Sequence, residues 1–150
     1  MIFLDTNPFV IDLRYPGDPV HSENRRFLER VQEEKIGLTG VLNLLELCGI
    51  LSFNLAPLRL LELFIHFPAR YGIRILPAGD WDLPLPAPLV RAVLDKMKSK
   101  MSLKDAEIAI QAEEQADEIT AFVTWNAKHF KDKLPFPALT PRQWMRAYRH

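Results

Sequence analysis

Three acidic residues stand out because each lies beside or within an apolar segment. Asp5 directly follows the apolar run that opens the chain, Glu46 lies in a nearly all-apolar segment, and Asp105 begins another with apolar periodicity. A charge in such surroundings needs a partner. If the three carboxylates met within about 4 Å, each pair would repel by roughly 1 kcal/mol in water and about 4 at an effective dielectric of 20. Such a cluster requires protons or a cation.

The chemistry of such a cluster follows from its ligand atoms. Carboxylate oxygens without a supporting set of histidine and cysteine select a hard ion such as Mg²⁺ or Mn²⁺. These ions keep several bound waters, which leaves room for a substrate and a nucleophile. This is the chemistry of phosphodiester hydrolysis.

Each acid also has a structural interpretation. Asp5 could cap the helix that Pro8 begins. Asp105 has the capping-box spacing from Ser102, and at this position the positive end of the helix dipole also stabilises a carboxylate. Glu46 could belong to a solvent-facing stripe of its helix. On the individual segments, these interpretations compete with the metal-site hypothesis.

The elements that must position these acids alternate along the chain. This alternation predicts an α/β fold with a mainly parallel sheet. The predicted strands are 2–4, 35–40, 73–76, 119–124 and an edge strand near 138–139. The predicted helices are one starting at 7–8, then 20–34, 40–53 (capped by Thr39), 58–67, 89–100, 102–116 and 141–149.

The sheet edge is where a site is expected, since ligands in such folds bind outside the carboxyl ends of the strands. Asp5 and the segment 124–126 each lie at such an end. The stripe around Glu46 consists of Thr39, Asn43, Glu46 and Gly49. In the helix 102–116, Asp105 points inward, and the predicted wet face is Glu107, Gln111, Glu114 and Glu118.

Composition limits the class of protein. With 150 residues, 48% hydrophobic and 25% charged, the chain is expected to form a single domain, 1–150. It has no apolar stretch long enough to span a membrane and no secretory signal, and its one cysteine, Cys48, suits the cytoplasm. The formal net charge of zero argues against gripping nucleic acid through overall charge, although local contacts with a phosphate backbone are compatible with it.

Four segments together resemble a known family. FLDTN, NLLELCGIL, SLKDAEIAI and FVTWNAKHF, in this order and spacing, are similar to the four acidic motifs of PIN-domain ribonucleases, particularly VapC-type toxins. The resemblance covers the chain from Leu4 to Phe130. It implies a three-layer α/β/α sandwich with a central, mainly parallel sheet, and metal-dependent cleavage of single-stranded or loop RNA.

The resemblance also implies a set of site residues. Asp5, Glu46 and Asp105 match the acidic ligands of Mg²⁺ or Mn²⁺, with Asp5 and Asp105 as main ligands. Asn126 falls on the fourth position, where many members have aspartate. The site therefore has one carboxylate fewer than in those members. This difference affects the binding of a second metal ion rather than that of the first.

Polar residues that flank the acids match the family as well. Thr6, Asn7 and Thr124 are expected to orient the carboxylates by hydrogen bonds, while turn or cap chemistry is the alternative for each. Lys104, in a basic run ahead of Asp105, could contact RNA phosphates or be simply solvated.

The family implies function and partners too. A VapC-type toxin of a type II toxin–antitoxin pair is an endoribonuclease, binds a small cognate antitoxin and commonly forms a homodimer. We expect part of the apolar surface of the helix 57–67 to serve a dimer or antitoxin interface; its residues are Leu60, Leu61, Phe64 and Phe67. The competing hypothesis is a PIN-like module that binds RNA or protein without cleavage, which Asn126 favours and the three acids oppose.

Overall fold

The computed structural model describes residues 1–77 and 82–149. In these residues, five short strands form one all-parallel sheet with the order β3-β2-β1-β4-β5. The strands are β1 Ile2–Leu4, β2 Gly37–Gly40, β3 Ile73–Leu76, β4 Ala121–Val123 and β5 Ala138–Leu139. The predicted α/β fold with a parallel sheet is therefore confirmed, and the first strand of the chain lies at its centre.

Helices cover both faces of this sheet. They are α1 Asn7–Arg14, α2 His21–Glu34, α3 Val41–Leu51, α4 Pro57–Tyr71, α5 Val90–Lys98, α6 Leu103–Glu113, α7 Ala127–Phe130 and α8 Pro141–Ala147. None of the helices in the described ranges is long and apolar enough to cross a membrane.

The central strands are buried on both faces, and their side chains alternate between two cores. Ile2 and Leu4 belong to one core with residues of α1 to α4 and α8, whereas Phe3 belongs to the other with residues of α6 and α7. Strand side chains point alternately to opposite faces, so a three-residue strand serves both cores at once. The result is the three-layer α/β/α sandwich that was expected.

Two polar residues lie elsewhere than predicted. Thr39 is not the cap of α3, because the N-cap of this helix is Gly40. The Oγ1 of Thr39 donates instead to the carbonyl oxygen of Leu4 at 2.7 Å. Gln111 was expected on the wet face of α6, but it is 3% exposed and its Nε2 donates to the carbonyl oxygen of Leu76 at 2.9 Å. Both side chains are buried because a strand-end carbonyl accepts their hydrogen bond.

The helix predicted over 58–67 is longer. As α4 it continues through Pro68 to Tyr71 and ends at Gly72, whose φ of +61° favours glycine. The periodicity of the sequence stopped at the proline, where a helix commonly ends.

Gly40 allows α6 to approach the start of α3 closely. A Cβ atom at position 40 would lie 1.8 Å from Gln111 Oε1 and 3.0 Å from Asn43 Oδ1. Gly40→Ala should therefore displace the buried Gln111 amide and lower the free energy of unfolding by about 1–3 kcal/mol, measured by urea denaturation.

The matched control for this substitution lies in α3 itself. A Cβ at Gly49 meets nothing within 4 Å, so Gly49→Ala should raise the free energy of unfolding by up to about 1 kcal/mol through helix propensity. Equal effects of the two substitutions would contradict the close approach at Gly40.

Candidate active site

The carboxylate of Asp5 lies at the carboxyl end of the central strand, where it is held by three donors. Parallel pairing of Leu4 with Val123 places Asp5 next to Thr124 of the neighbouring strand. Thr124 Oγ1 donates to Asp5 Oδ2 at 2.8 Å, and the Thr6 amide donates to Oδ1 at 2.8 Å. Asn43 Nδ2 reaches the same Oδ1 at 3.3 Å. Asp5 is 9% exposed, so its orientation is set by the protein.

Helix α3 brings Glu46 to the same place through a shared hydroxyl group. Thr6 Oγ1 accepts from Asn43 Nδ2 at 3.0 Å and donates to Glu46 Oε2 at 2.9 Å. The other carboxylate oxygen of Glu46 forms an ion pair with Lys104, which lies one residue before Asp105. The polar stripe of α3 is therefore not a solvent-facing surface around Asn43, which is 1% exposed.

Asp105 enters from the opposite layer, in the first turn of α6. Its amide donates to Ser102 Oγ at 3.2 Å, which satisfies one half of the predicted capping box. The reciprocal bond from the carboxylate, seen at Thr140 and Gln143 of α8, is not formed here. The half-buried Asp105 carboxylate accepts no hydrogen bond and forms no ion pair within the described ranges. Capping thus uses only its backbone.

The electrostatics of Asp5 connect the three acids. Burial, the largest cause, raises the pKa of Asp5 from 3.8 to about 6. The hydrogen bonds from Thr124 and Thr6 lower this pKa, while the negative charges of Glu46 and Asp105 raise it further. The structure therefore brings both Glu46 and Asp105 within electrostatic reach of Asp5.

Polar residues flanking the acids form one connected network. Asn7 Nδ2 donates to Thr124 Oγ1 at 2.9 Å, and the Asn126 amide donates to the same oxygen at 3.1 Å. The Thr124 hydroxyl can therefore direct its own proton only to Asp5. The Asn126 side chain is exposed and joins this network only through its backbone.

Two residues of the site were not among the predicted site residues. Asn43 was noted only for its place in the stripe, and its i, i+3 spacing from Glu46 in an apolar helix was the signal available. Lys104 was considered for RNA phosphates or solvent, and its contact with Glu46 joins positions that are 58 residues apart in the sequence. Sequence spacing does not show such a contact.

The chemical type of the available ligand atoms suits a hard divalent cation. The available side-chain ligands are carboxylate oxygens, one of which, on Asp105, has no partner among the described residues. Burial, with a smaller contribution from the neighbouring acids, raises the pKa of Asp5 and so disfavours its ionised form, which a nearby cation would favour. In the described part of the chain, no three His, Cys, Asp or Glu side chains are grouped as if around a metal ion; Glu46 is instead paired with Lys104.

Comparisons with known proteins support the fold. A chain in the structure of FitAB bound to an IR36 DNA fragment is similar to this chain, with a TM-score of 0.60 and 17% sequence identity. The similarity covers 94% of this chain and 95% of the other. No protein-family model matches, and no curated protein matches either. At this level of identity the likeness concerns the fold, which is PIN-like.

The ionised Asp5 should destabilise the folded protein. Between about pH 4 and 6 the folded state binds more protons than the unfolded state, so the free energy of unfolding falls as pH rises through this range. The loss, up to roughly 3 kcal/mol, persists above pH 6. Asp5→Asn removes the charge, so at pH 7 it should raise the free energy of unfolding and flatten the pH profile between 4 and 6.

Chemical denaturation at a series of pH values measures both effects. Asp117→Asn, at an exposed acid, serves as the control and should keep the wild-type profile. An Asp5→Asn protein less stable than wild type at pH 7 would instead assign the carboxylate a structural role.

Proposed function

We propose that this protein is a metal-dependent endoribonuclease, of the kind that acts as the toxin of a type II toxin–antitoxin pair. The observation that carries the proposal is the buried carboxylate of Asp5, whose pKa is raised to about 6 by burial and by its acidic neighbours. Strongly perturbed carboxylates on a sheet edge are typical of functional sites. The PIN-like fold and the four sequence motifs support the same conclusion.

The residues of the site divide the work as follows. Asp5 and Asp105 would hold Mg²⁺ or Mn²⁺, which activates a water molecule and neutralises charge that develops on the phosphate. Thr124 and Thr6 fix the Asp5 carboxylate in one orientation by their hydrogen bonds. Glu46 either completes the ligand set or orients the water, and in the first role it must exchange Lys104 for the cation.

Asn126 supports the alternative function, a PIN-like module that binds RNA or protein without cleavage. Its side chain is exposed beside the site, and it provides an amide where many PIN-domain nucleases have a carboxylate. The three remaining acids favour the nuclease, since a binding module has no use for mutually repelling carboxylates around a buried one.

Divalent-dependent cleavage distinguishes the two functions. We expect the purified chain to cleave a pool of single-stranded and hairpin RNAs with MgCl₂ or MnCl₂, and to stop with EDTA. Asp5→Asn and Asp105→Asn should each reduce the rate by more than about 100-fold, because loss of a mere supporting partner already costs about 10- to 100-fold. Gel analysis of labelled RNA measures the rates.

The control for this experiment is Glu114→Gln, which neutralises an exposed acid at the C-cap of α6, the helix whose first turn contains Asp105. It should cleave as wild type does. Calorimetric titration with Mn²⁺ gives a second readout, in which the two aspartate variants lose binding. RNA binding without cleavage by the wild-type chain would establish the non-cleaving module instead.

A partner is also part of the proposal. Leu58, Leu61 and Ile65 form an exposed apolar stripe along α4 and are 65%, 46% and 48% exposed. Beside it, a groove of about 830 Å³ lies between α3, α4, β3 and the segment 83–85. Phe67, which was expected to contribute, is fully buried, while Leu60 and Phe64 pack partly against the core. We assign the exposed stripe to a homodimer and the groove to a small antitoxin, in the cytoplasm.

The dimer can be tested by substituting the stripe. Leu58→Glu combined with Leu61→Glu places two charges on this apolar surface and should convert a dimer to a monomer, measured by light scattering at micromolar concentration. Ile65 is left unchanged because it also lines the groove. Val90→Gln is the control, at an 85% exposed apolar residue on α5. If the wild-type chain is a monomer, the proposed homodimer is wrong. If the chain is harmless when expressed alone, the proposed toxin function is wrong.

A further inference from the structure

The indole of Trp125 is fixed to the protein next to the acidic site. Its backbone amide donates to Asn7 Oδ1 at 3.0 Å, and its Nε1 donates to Asn24 Oδ1 at 2.8 Å. Asn24 is fully buried, and its Nδ2 donates to the carbonyl oxygen of Pro8 at 2.7 Å. Two hydrogen bonds therefore set the position and the orientation of this aromatic ring.

The same network continues from the ring to the carboxylate. Asn7, which accepts from the Trp125 amide, donates to Thr124 Oγ1, and Thr124 donates to Asp5. Asn7 thus uses both ends of its amide group to connect the backbone of Trp125 with the site. A ligand that contacts both Trp125 and Asp5 would meet a preformed surface, which reduces the entropy lost on binding.

The surroundings of the ring differ from those of a core tryptophan. Trp144 is 3% exposed and contacts Phe27, Tyr148 and Arg30. Trp125 is half-buried, and within residues 1–77 and 82–149 no aromatic ring or cation stacks on it. Stacking on this indole is therefore left to a ligand, as far as the aromatic and cationic side chains of the described residues are concerned.

We infer that Trp125 is the platform on which a nucleobase next to the scissile phosphate stacks. This inference rests on the proposed nuclease function. Single-stranded RNA is commonly held by stacking of unpaired bases on aromatic side chains. With a formal net charge of zero, the chain does not attract RNA by its overall charge, so affinity depends on local contacts, of which stacking is one.

The test compares two substitutions that both remove the indole N–H and its bond to Asn24. Trp125→Phe keeps an aromatic face, whereas Trp125→Leu removes it, so their difference isolates stacking from the lost hydrogen bond. Binding is measured in EDTA, by fluorescence anisotropy, with labelled oligo(A) and with an abasic ribose-phosphate oligomer of the same length. Phe53→Leu, at an 88% exposed aromatic residue, is the control.

We expect wild type and Phe53→Leu to bind oligo(A) more tightly than the abasic oligomer, by roughly 5- to 150-fold for one stacked base. Trp125→Phe should keep most of this preference and Trp125→Leu should lose it, with KM for cleavage raised in parallel and kcat changed less.

Two results would overturn the inference, and they are distinguishable. If wild type cleaves RNA but Trp125→Leu keeps the preference for oligo(A), or if wild type cleaves RNA without such a preference, stacking on Trp125 is wrong and the nuclease function stands. If wild type neither binds nor cleaves any of the RNAs, the nuclease function fails and the inference fails with it.

Discussion

The candidate site is organised around a carboxylate that is buried at the end of the central strand. Asp5 receives hydrogen bonds from Thr6, Thr124 and Asn43, yet its pKa remains raised to about 6 because burial outweighs them. A sequence selected for stability alone would place a neutral residue here. The fold instead retains the charge and arranges donors around it, which is the arrangement expected where a site requires an ionised group.

The topology explains how residues from distant segments reach this carboxylate. Because β1 is the central strand, it has a neighbour on each side and a helical layer on each face. Helix α3 supplies Glu46 from one layer, the first turn of α6 supplies Asp105 from the other, and β4 leads into Thr124. Because every parallel strand ends at the same edge of the sheet, these side chains meet there without a long loop to carry them.

Sequence patterns were sufficient for most of the strands and helices, since apolar periodicity and proline positions reflect local rules. They failed for Thr39 and Gln111, whose side chains are buried by bonding to the carbonyl oxygens of Leu4 and Leu76. In a sequence, such a residue looks the same as one that faces water. The pairing of Lys104 with Glu46 was missed for a related reason: it depends on two helices meeting at the sheet edge.

If the site binds a divalent cation as proposed, its charges favour one ion over two. Among the described residues, the three carboxylates of Asp5, Glu46 and Asp105 are accompanied by the ammonium group of Lys104, which pairs with Glu46. Two negative charges remain when all four groups are ionised. One Mg²⁺ or Mn²⁺ would match that remainder, whereas a second would bring two positive charges with no further carboxylate among the described site residues to meet them. The neutral side chain of Asn126 adds nothing to offset it. In the proposed nuclease, a second ion would therefore have to be held by the phosphate of the substrate, since the described site residues offer it no further negative charge.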